Sequence, residues 1–443
     1  MQDAIRVGML GLGIVGSGVA QALLTKADTI ARRVGRPVVL QRALVRAPDK
    51  PRPLAPALLT TDPAAILADP EIEVVVELMG GEQPAHQYIL AAIERGKHVV
   101  TANKEVMAKH GPEILECAAA RGVDVAFEAS VGGGIPVIGA FRLDLLANDL
   151  YEVTAIINGT TNYILTKMAR EGVNYATALQ EAQALGYAEA DPRNDVEGID
   201  AAYKLTILAT LAFHARLRPS DVFVEGITRL AAADFRYAHE LGYAIKLVAI
   251  GRATEQGLEL RVHPAFLPAG EMLANVDGVF NAVSVEGDLV GRVLFYGRGA
   301  GAGPTSSAVV ADIIDIAQRL HAGRSGREAR AAQPLTRLLP PLDETRRVLP
   351  KHDVRTRYYL RLIAADRPGV IAQITQVLGE HEISLASVIQ KEDVVIDAAS
   401  DLRHAEIVLM THRAHEAAMQ RAVALIGKLP VVARVGSLIR VEG

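Results

Sequence analysis

The sequence has no tryptophan, one cysteine and few aromatic residues, 8 Phe and 11 Tyr among 443. Any core must therefore be aliphatic, and with half of the residues hydrophobic the chain can supply one. Cys117 alone excludes an intrachain disulfide and fits a reducing cytoplasm; its setting, EILECAAARG, reads as a buried core thiol. An excess of one charge is also missing. The 47 Lys and Arg are scattered among 51 Asp and Glu, so nothing marks a nucleic-acid surface. Only residues 7–25 form a long charge-free run, and its five glycines (Gly8, Gly11, Gly13, Gly16 and Gly18) make a poor membrane anchor. The chain is expected to be soluble and cytoplasmic, with room for two or three domains.

What is present is a sequence of alternating elements. Strands are expected at residues 4–10, 38–45, 73–78, 99–100 and in VDVAFEA. Helices are expected from the glycine turn to about Arg33, in HQYILAAIERG and over 114–121. That alternation predicts an α/β fold with a doubly wound parallel sheet, a Rossmann-type domain over 1–134. Longer helices (177–185 and 200–214) then mix with strands such as YEVTAIIN and GLELRVHPAFL, predicting an α+β catalytic and oligomerisation domain over 135–299. GAGPTSSAVVADIIDIAQRL opens a helix, about 300–322, expected to return to the first domain. Residues 323–353, rich in Arg, Pro and Ala, read as a linker. Residues 354–443 follow a βαββαβ order, a ferredoxin-like unit.

Gly11, Gly13, Ile14, Val15 and Gly16 lie in GLGIVG, between the first strand and its helix. Glycines there allow a tight turn and close approach of a pyrophosphate, and the helix N-terminus favours anions. The second strand lacks the acidic residue that would bind a ribose hydroxyl and is followed by Arg46 and Lys50. These cations suit a 2′-phosphate, favouring NADP over NAD; a solvated basic loop is the plainer alternative. Lys104 follows a short strand at the sheet end where ligands bind, although a strand-end lysine is more often only solvated. Glu128 precedes Val131, Gly133 and Ile135 in EASVGGGIP, a run whose carbonyls can ligate a hard cation or simply form a hinge.

The stretch GYAEADPRNDVEGIDAAYK sets Glu189, Asp191, Asp195, Glu197 and Asp200 ahead of Lys204 and a long apolar run. Asp200 and Lys204 are four apart on one helix face. A surface salt bridge is the bland reading; the apolar turns that follow favour a buried helix start, where a lysine beside a carboxylate can act as acid or base. Glu189 and Asp195 can meet an ammonium group. Asp191 and Glu197 are left to cap helix starts.

With GLGIVG, TANK, EASVGGGIP, NGTTNYI and GYAEADPRNDVEGIDAAYK in one order, residues 1–320 resemble homoserine dehydrogenase, and AADRPGVIAQITQVLGEHEISLASV resembles an ACT domain. The resemblance implies interconversion of L-homoserine and L-aspartate 4-semialdehyde with NADP or NAD, in threonine and methionine biosynthesis. It implies Lys204 as proton donor, Glu189 at the substrate amine, and Asp195 and Asp200 as orienting groups. Lys104 would touch cofactor and substrate, Gly303 would be a further cofactor contact, and Glu128, Val131, Gly133 and Ile135 would hold sodium. Asp366, Gly369 and Val370 would cradle a regulatory amino acid, threonine being favoured, in a homo-oligomer (dimer or tetramer). The chemistry agrees: an aldehyde-oxidising acyl-transfer enzyme needs a thiol nucleophile, and Cys117 is badly placed for one. The competing readings are another NAD(P)-dependent amino- or hydroxy-acid dehydrogenase, and a non-catalytic ACT-type amino-acid sensor.

Overall fold

The structure is a computed structural model that describes residues 4–52, 54–324, 342–396 and 403–443. The expected linker at 323–353 lies largely outside the described residues. The chain forms two compact units, one of Met1–Val153, Tyr203–Asp221 and Phe280–Arg346, the other of Thr154–Ala202, Val222–Val279 and Arg347–Gly443.

The first unit begins with β1 (Ile5–Leu10), α1 (Ile14–Thr25), α2 (Ala27–Val34), β2 (Val38–Leu44), β3 (Leu59–Thr60), α3 (Ala64–Leu67), β4 (Val74–Glu77), α4 (Ala85–Glu94), β5 (His98–Thr101), α5 (Lys104–Arg121) and β6 (Val125–Ala126). Its strands pair in parallel in the order β3-β2-β1-β4-β5-β6, the doubly wound arrangement whose ligand side lies at the strands' carboxyl ends. The strands read as nearly continuous apolar runs because both faces are covered; Val74, Val75 and Val76 are all buried.

Two expectations need correction here. The helix expected to reach Arg33 is two helices, broken at Lys26, the second ended by Gly35 in a left-handed conformation (φ 86°). The helix expected from 114 starts ten residues earlier, at Lys104, and carries Pro112 inside it. Gly111 and Pro112 masked its first half, since proline removes a helical donor.

The chain continues through β7 (Leu150–Ile156), α6 (Gly159–Glu171), α7 (Tyr175–Ala184), α8 (Arg193–Val196), α9 (Ile199–Phe213), β8 (Phe223–Val224), α10 (Ala232–Glu240), β9 (Tyr243–Thr254), β10 (Gly257–Pro268), β11 (Phe280–Gly287), β12 (Gly291–Arg298) and α11 (Ala302–Arg324). Within the first unit α11 packs on α1. A Cβ on Gly18 would stand 2.4 Å from Ser306 Oγ, and that hydroxyl donates to the Val15 carbonyl at 3.1 Å.

The last elements are β13 (Arg355–Ala365), α12 (Val370–Glu380), β14 (Leu385–Ile396), β15 (Arg403–Thr411), β16 (Ala414–His415), α13 (Glu416–Ile426) and β17 (Val432–Val441), which contain the expected βαββαβ order. Val370, Ile374 and Leu378 of α12 share a core with Met419, Ala422 and Ile426 of α13. In the second unit the strands run β9-β10-β17-β13-β15-β14, so β17 joins the ferredoxin-like strands to the β9–β10 pair. Ala265 pairs with Arg440 and Phe266 with Val441, in parallel.

Buried charges reinforce this joint. Arg361 on β13 donates from Nε to Asp234 at 2.7 Å, and Ser437 on β17 donates to the same carboxylate at 2.7 Å. Asp234 is wholly buried at the start of α10, where it also accepts from the Ala231 N–H at 2.9 Å. Removing one member of a buried pair strands the other charge, at about 3–5 kcal/mol. Asp234→Ala should therefore lower stability by roughly that amount, read as a shifted urea midpoint; a shift under about 1 kcal/mol would show that the pair does not hold the joint.

Candidate active site

The cofactor half of the site is built at the β1–α1 turn. Gly11 has φ 101°, and a Cβ there would meet the Leu78 carbonyl oxygen at 2.8 Å. A Cβ on Gly16 would meet the Gly11 carbonyl oxygen at 2.4 Å, whereas around Gly13 nothing lies within 4 Å. The first glycine thus makes the turn, the third permits packing, and the middle one leaves open the approach a pyrophosphate needs. Ile14 is 79% exposed at the head of α1, beside half-buried Val15. The turn is braced by Arg52, which donates to the Leu12 carbonyl at 2.5 Å and the Ala47 carbonyl at 3.2 Å. Arg52 was not foreseen in the sequence; Arg46, which was, is exposed beyond the end of β2. Gly303 sits at the start of α11 and lines a cavity of about 400 Å³ with Gly18, Lys26 and Arg33.

The neighbouring strand ends carry a polar network. Glu77, fully buried at the end of β4, accepts from Thr101 Oγ1 at 2.7 Å and from the Met79 N–H at 2.7 Å. Burial pushes its carboxyl upward, and these donors pull it back. Thr101 Oγ1 in turn accepts from the Asn103 N–H at 3.0 Å, and Asn103 Oδ1 caps α5 by accepting from the Val106 N–H at 3.1 Å. Lys104 is therefore the first residue of a capped helix. A cation there opposes the helix dipole, so its place is not explained by helix stability.

Glu128 is set between two buried segments. Its oxygens accept from the Ile138 and Gly139 N–H groups at 2.9 and 2.7 Å, while its own N–H donates to Asp312 at 3.0 Å. Gly132 and Gly133 have positive φ (71° and 47°), which bends the Val131–Ile135 stretch, and a Cβ on Gly133 would stand 2.6 Å from the Gly299 carbonyl oxygen. The Ile135 carbonyl already accepts from the Val137 N–H at 2.8 Å. Burial, and secondarily the charge of Glu128, push the Asp312 carboxyl up to about 8. Two half-buried carboxyls thus lie side by side.

Of the substrate half, the acid-rich stretch and Asn158 lie in the second unit, which takes α9 only as far as Ala202; Lys204 belongs to the first. Asn158 caps α6, its side-chain oxygen accepting from the Thr161 N–H at 2.8 Å. The same amide donates to Asp195 at 2.6 Å and to Asp200 at 2.8 Å, so one side chain holds two carboxylates. Thr160 Oγ1 ties α6 to the acid-rich stretch through the Tyr187 carbonyl at 2.7 Å. Asp200 is buried in the first turn of α9, and Lys204, also buried, comes one turn later on the same helix. The surface salt-bridge reading of these two is thus excluded. Glu189 is exposed after α7, where Gln183 donates to its backbone carbonyl at 3.1 Å. Asp191 pairs with Arg193 on the surface and caps α8 through the Arg193 N–H at 3.3 Å. Asn158 and α6 escaped the sequence reading; an asparagine followed by Gly-Thr-Thr is a recognisable cap signal.

From this half a linked path reaches the ferredoxin-like part of the same unit. The Ile227 N–H donates to the Val196 carbonyl at 2.9 Å, and a Cβ on Gly226 would lie 2.4 Å from that oxygen. Glu225 accepts from Arg440 on β17 at 2.8 Å, and Arg440 is paired with buried Glu416 at 2.6 Å. Further along, Asp366, Gly369 and Val370 line a cavity of about 410 Å³, with Gln390 donating to Asp366 at 3.3 Å.

A doubly wound sheet with this glycine turn, and an acid-rich segment set against a lysine-bearing helix, define a dinucleotide-dependent oxidoreductase. Residues 11–128 match the NAD-binding domain of homoserine dehydrogenase, 136–314 the homoserine dehydrogenase family, and 358–431 the ACT domain. A homoserine dehydrogenase of Neisseria gonorrhoeae is 45% identical over 99% of this chain and 98% of its own. A crystal structure of the Thiobacillus denitrificans enzyme is 47% identical, with a TM-score of 0.90 over 99% of this chain and 98% of that one. A hyperthermophilic archaeal homoserine dehydrogenase in complex with NADPH is 26% identical, with a TM-score of 0.60 over 71% of this chain and 97% of its own. The chain belongs to the homoserine dehydrogenase family and carries a C-terminal ACT domain.

The raised carboxyl of Asp312 makes a signed pH prediction. Folded Asp312 keeps its proton to about pH 8, whereas the unfolded chain releases it near the ordinary carboxylate range. Between about pH 4 and 8 the folded state binds more protons, so this group makes stability fall as pH rises. In sodium-free buffer, urea midpoints at pH 5 and 8 should diverge less for Asp312→Asn than for the unaltered protein. Equal divergence would refute the assignment.

Proposed function

We propose that the chain interconverts L-homoserine and L-aspartate 4-semialdehyde, with NADP favoured over NAD. The observation that carries this reading is the Asp195–Asn158–Asp200 bridge at the head of the helix bearing Lys204. The dinucleotide, when bound at the Gly11–Gly16 turn, supplies hydride transfer. In the oxidising direction neutral Lys204 takes the proton of the substrate hydroxyl; in the reducing direction protonated Lys204 returns it to the aldehyde oxygen. Asp200, one turn before it, holds the ammonium in place. Asp195 and exposed Glu189 offer carboxylates to the substrate's amino group. Lys104, held at the capped start of α5, presents a cation to substrate and cofactor. Arg46 and Lys50 supply positive charge for a 2′-phosphate, in keeping with the archaeal relative's NADPH. Sodium at Glu128, Val131, Gly133 and Ile135 would offset the charge of Glu128 and, above about pH 8, that of Asp312.

Pure protein should reduce NADP with homoserine at alkaline pH; no turnover with either dinucleotide would overturn the reading. Lys204→Ala should lower turnover by roughly 10²–10⁴-fold and leave dinucleotide affinity nearly intact. A loss under about tenfold would remove Lys204 from the proton-transfer role.

The ACT domain is proposed to bind threonine at Asp366, Gly369 and Val370 and to inhibit turnover. Support comes from the cavity there and from the Arg440–Glu225 contact leading toward Val196 and Asp195. Glu225→Gln should weaken threonine inhibition while homoserine turnover without threonine stays within about threefold, a shift of about 0.6 kcal/mol in barrier height. Unchanged inhibition would sever this path. In the described sheet β14 is the terminal strand of its path, an edge suited to pairing with a second copy in a homo-oligomer.

A further inference from the structure

On the α4 and α5 helices of the first unit, away from the glycine turn in sequence, two histidines stack face to face. The His86 and His110 rings lie 3.9 Å apart at centroids, 11° from parallel. Glu113, one turn beyond His110, places Oε2 3.6 Å from His86 Nε2 and 3.8 Å from His110 Nδ1. One nitrogen from each ring and this carboxylate oxygen all lie within 4.8 Å of one another. His86 Nε2 is buried and, among the described residues, has no hydrogen-bond partner. The other nitrogen of His110, Nε2, is 2.9 Å from Glu82 Oε1, and Lys109 donates to the second Glu82 oxygen at 2.7 Å.

This is the chemistry of a metal ligand set with its supporting carboxylate. Lys109 already donates to one Glu82 oxygen, and the other accepts a hydrogen bond from His110 Nε2–H. That fixes the tautomer in which His110 Nδ1 turns a lone pair toward Glu113. A nitrogen of each ring and the carboxylate oxygen thus lie together, with the two Glu113 separations too long for hydrogen bonds. Bonds of about 2.1 Å place tetrahedral ligands about 3.4 Å apart, so the two Glu113 separations are near those of an occupied site. Ligation requires the two stacked rings to turn out of parallel, so that both in-plane lone pairs meet one ion. We propose that His86 Nε2, His110 Nδ1 and Glu113 Oε2 form a three-ligand site for a borderline divalent metal, zinc by preference, with Glu82 as the positioning carboxylate. Two imidazoles and a carboxylate suit zinc better than magnesium or calcium, which take all-oxygen shells. The fourth position is left to water.

The test uses untagged full-length protein, stripped with EDTA and titrated with zinc by calorimetry and with cobalt(II) by visible absorption. One equivalent per chain is expected, with the absorption of tetrahedral cobalt. His110→Ala and Glu113→Gln should each weaken zinc binding at least tenfold, and Glu82→Gln by roughly 10–100-fold. Glu113 is exposed, so its substitution leaves folding intact, and retained dehydrogenase turnover confirms that for each variant. No binding, or binding equal in protein and variants (an adventitious ion only), would overturn the site.

Discussion

Two carboxylates from successive helices are held side by side where a single donor reaches both. Here that donor is the amide of Asn158, which spans Asp195 and Asp200 at 2.6 and 2.8 Å. The same side chain caps α6, so the helix and the acid-rich segment are fixed by one group. Without it, both carboxylates would lose a hydrogen-bond donor and the start of α9 its tie to α6. The position of Lys204 follows, because it lies one helical turn from Asp200.

A second constraint shapes the ACT end of the molecule. Its strands do not form a free-standing module: Arg361, Asp234, Ser437, Arg440, Glu416 and Glu225 make a buried or half-buried set of charges that crosses from β13 and β17 to α10 and the Glu225 turn. Buried ion pairs contribute little net stability but penalise every arrangement that separates them. They define one register for β17, and β17 fixes what can be transmitted toward Val196.

Much of this was legible in the residues. The glycine turn announced itself because the three glycines have three separate steric jobs, visible in what a Cβ would meet at Gly11, Gly13 and Gly16. The parallel sheet was legible because buried strands are uniformly apolar. Asn158 was not, since a polar cap shows its reach only when a distant acid folds back on it. Arg52 and Glu77 were hidden for a related reason: each acts through a group remote in sequence, the Leu12 carbonyl for one and the Thr101 hydroxyl for the other. The first half of α5 was lost to Gly111 and Pro112, whose helix-breaking tendency is overridden by burial, both residues being inside the protein. The stacked histidines carried no signal at all, because His86 and His110 are brought together only by the pairing of two helices.

The parallel pairing of β10 with β17 also sets a clock. On a ribosome adding about 5–20 residues each second, β10 emerges on the order of ten seconds before its neighbour β17 exists. Throughout that interval the β9–β10 hairpin lacks its partner at Ala265 and Phe266, and Phe266 lacks the cover of Tyr359, 4.5 Å away in the finished protein. A nascent chain in that state is open to pairing with other strands. The regulatory strands therefore complete the cover of Phe266, which gives them a part in biogenesis separate from any effector they bind.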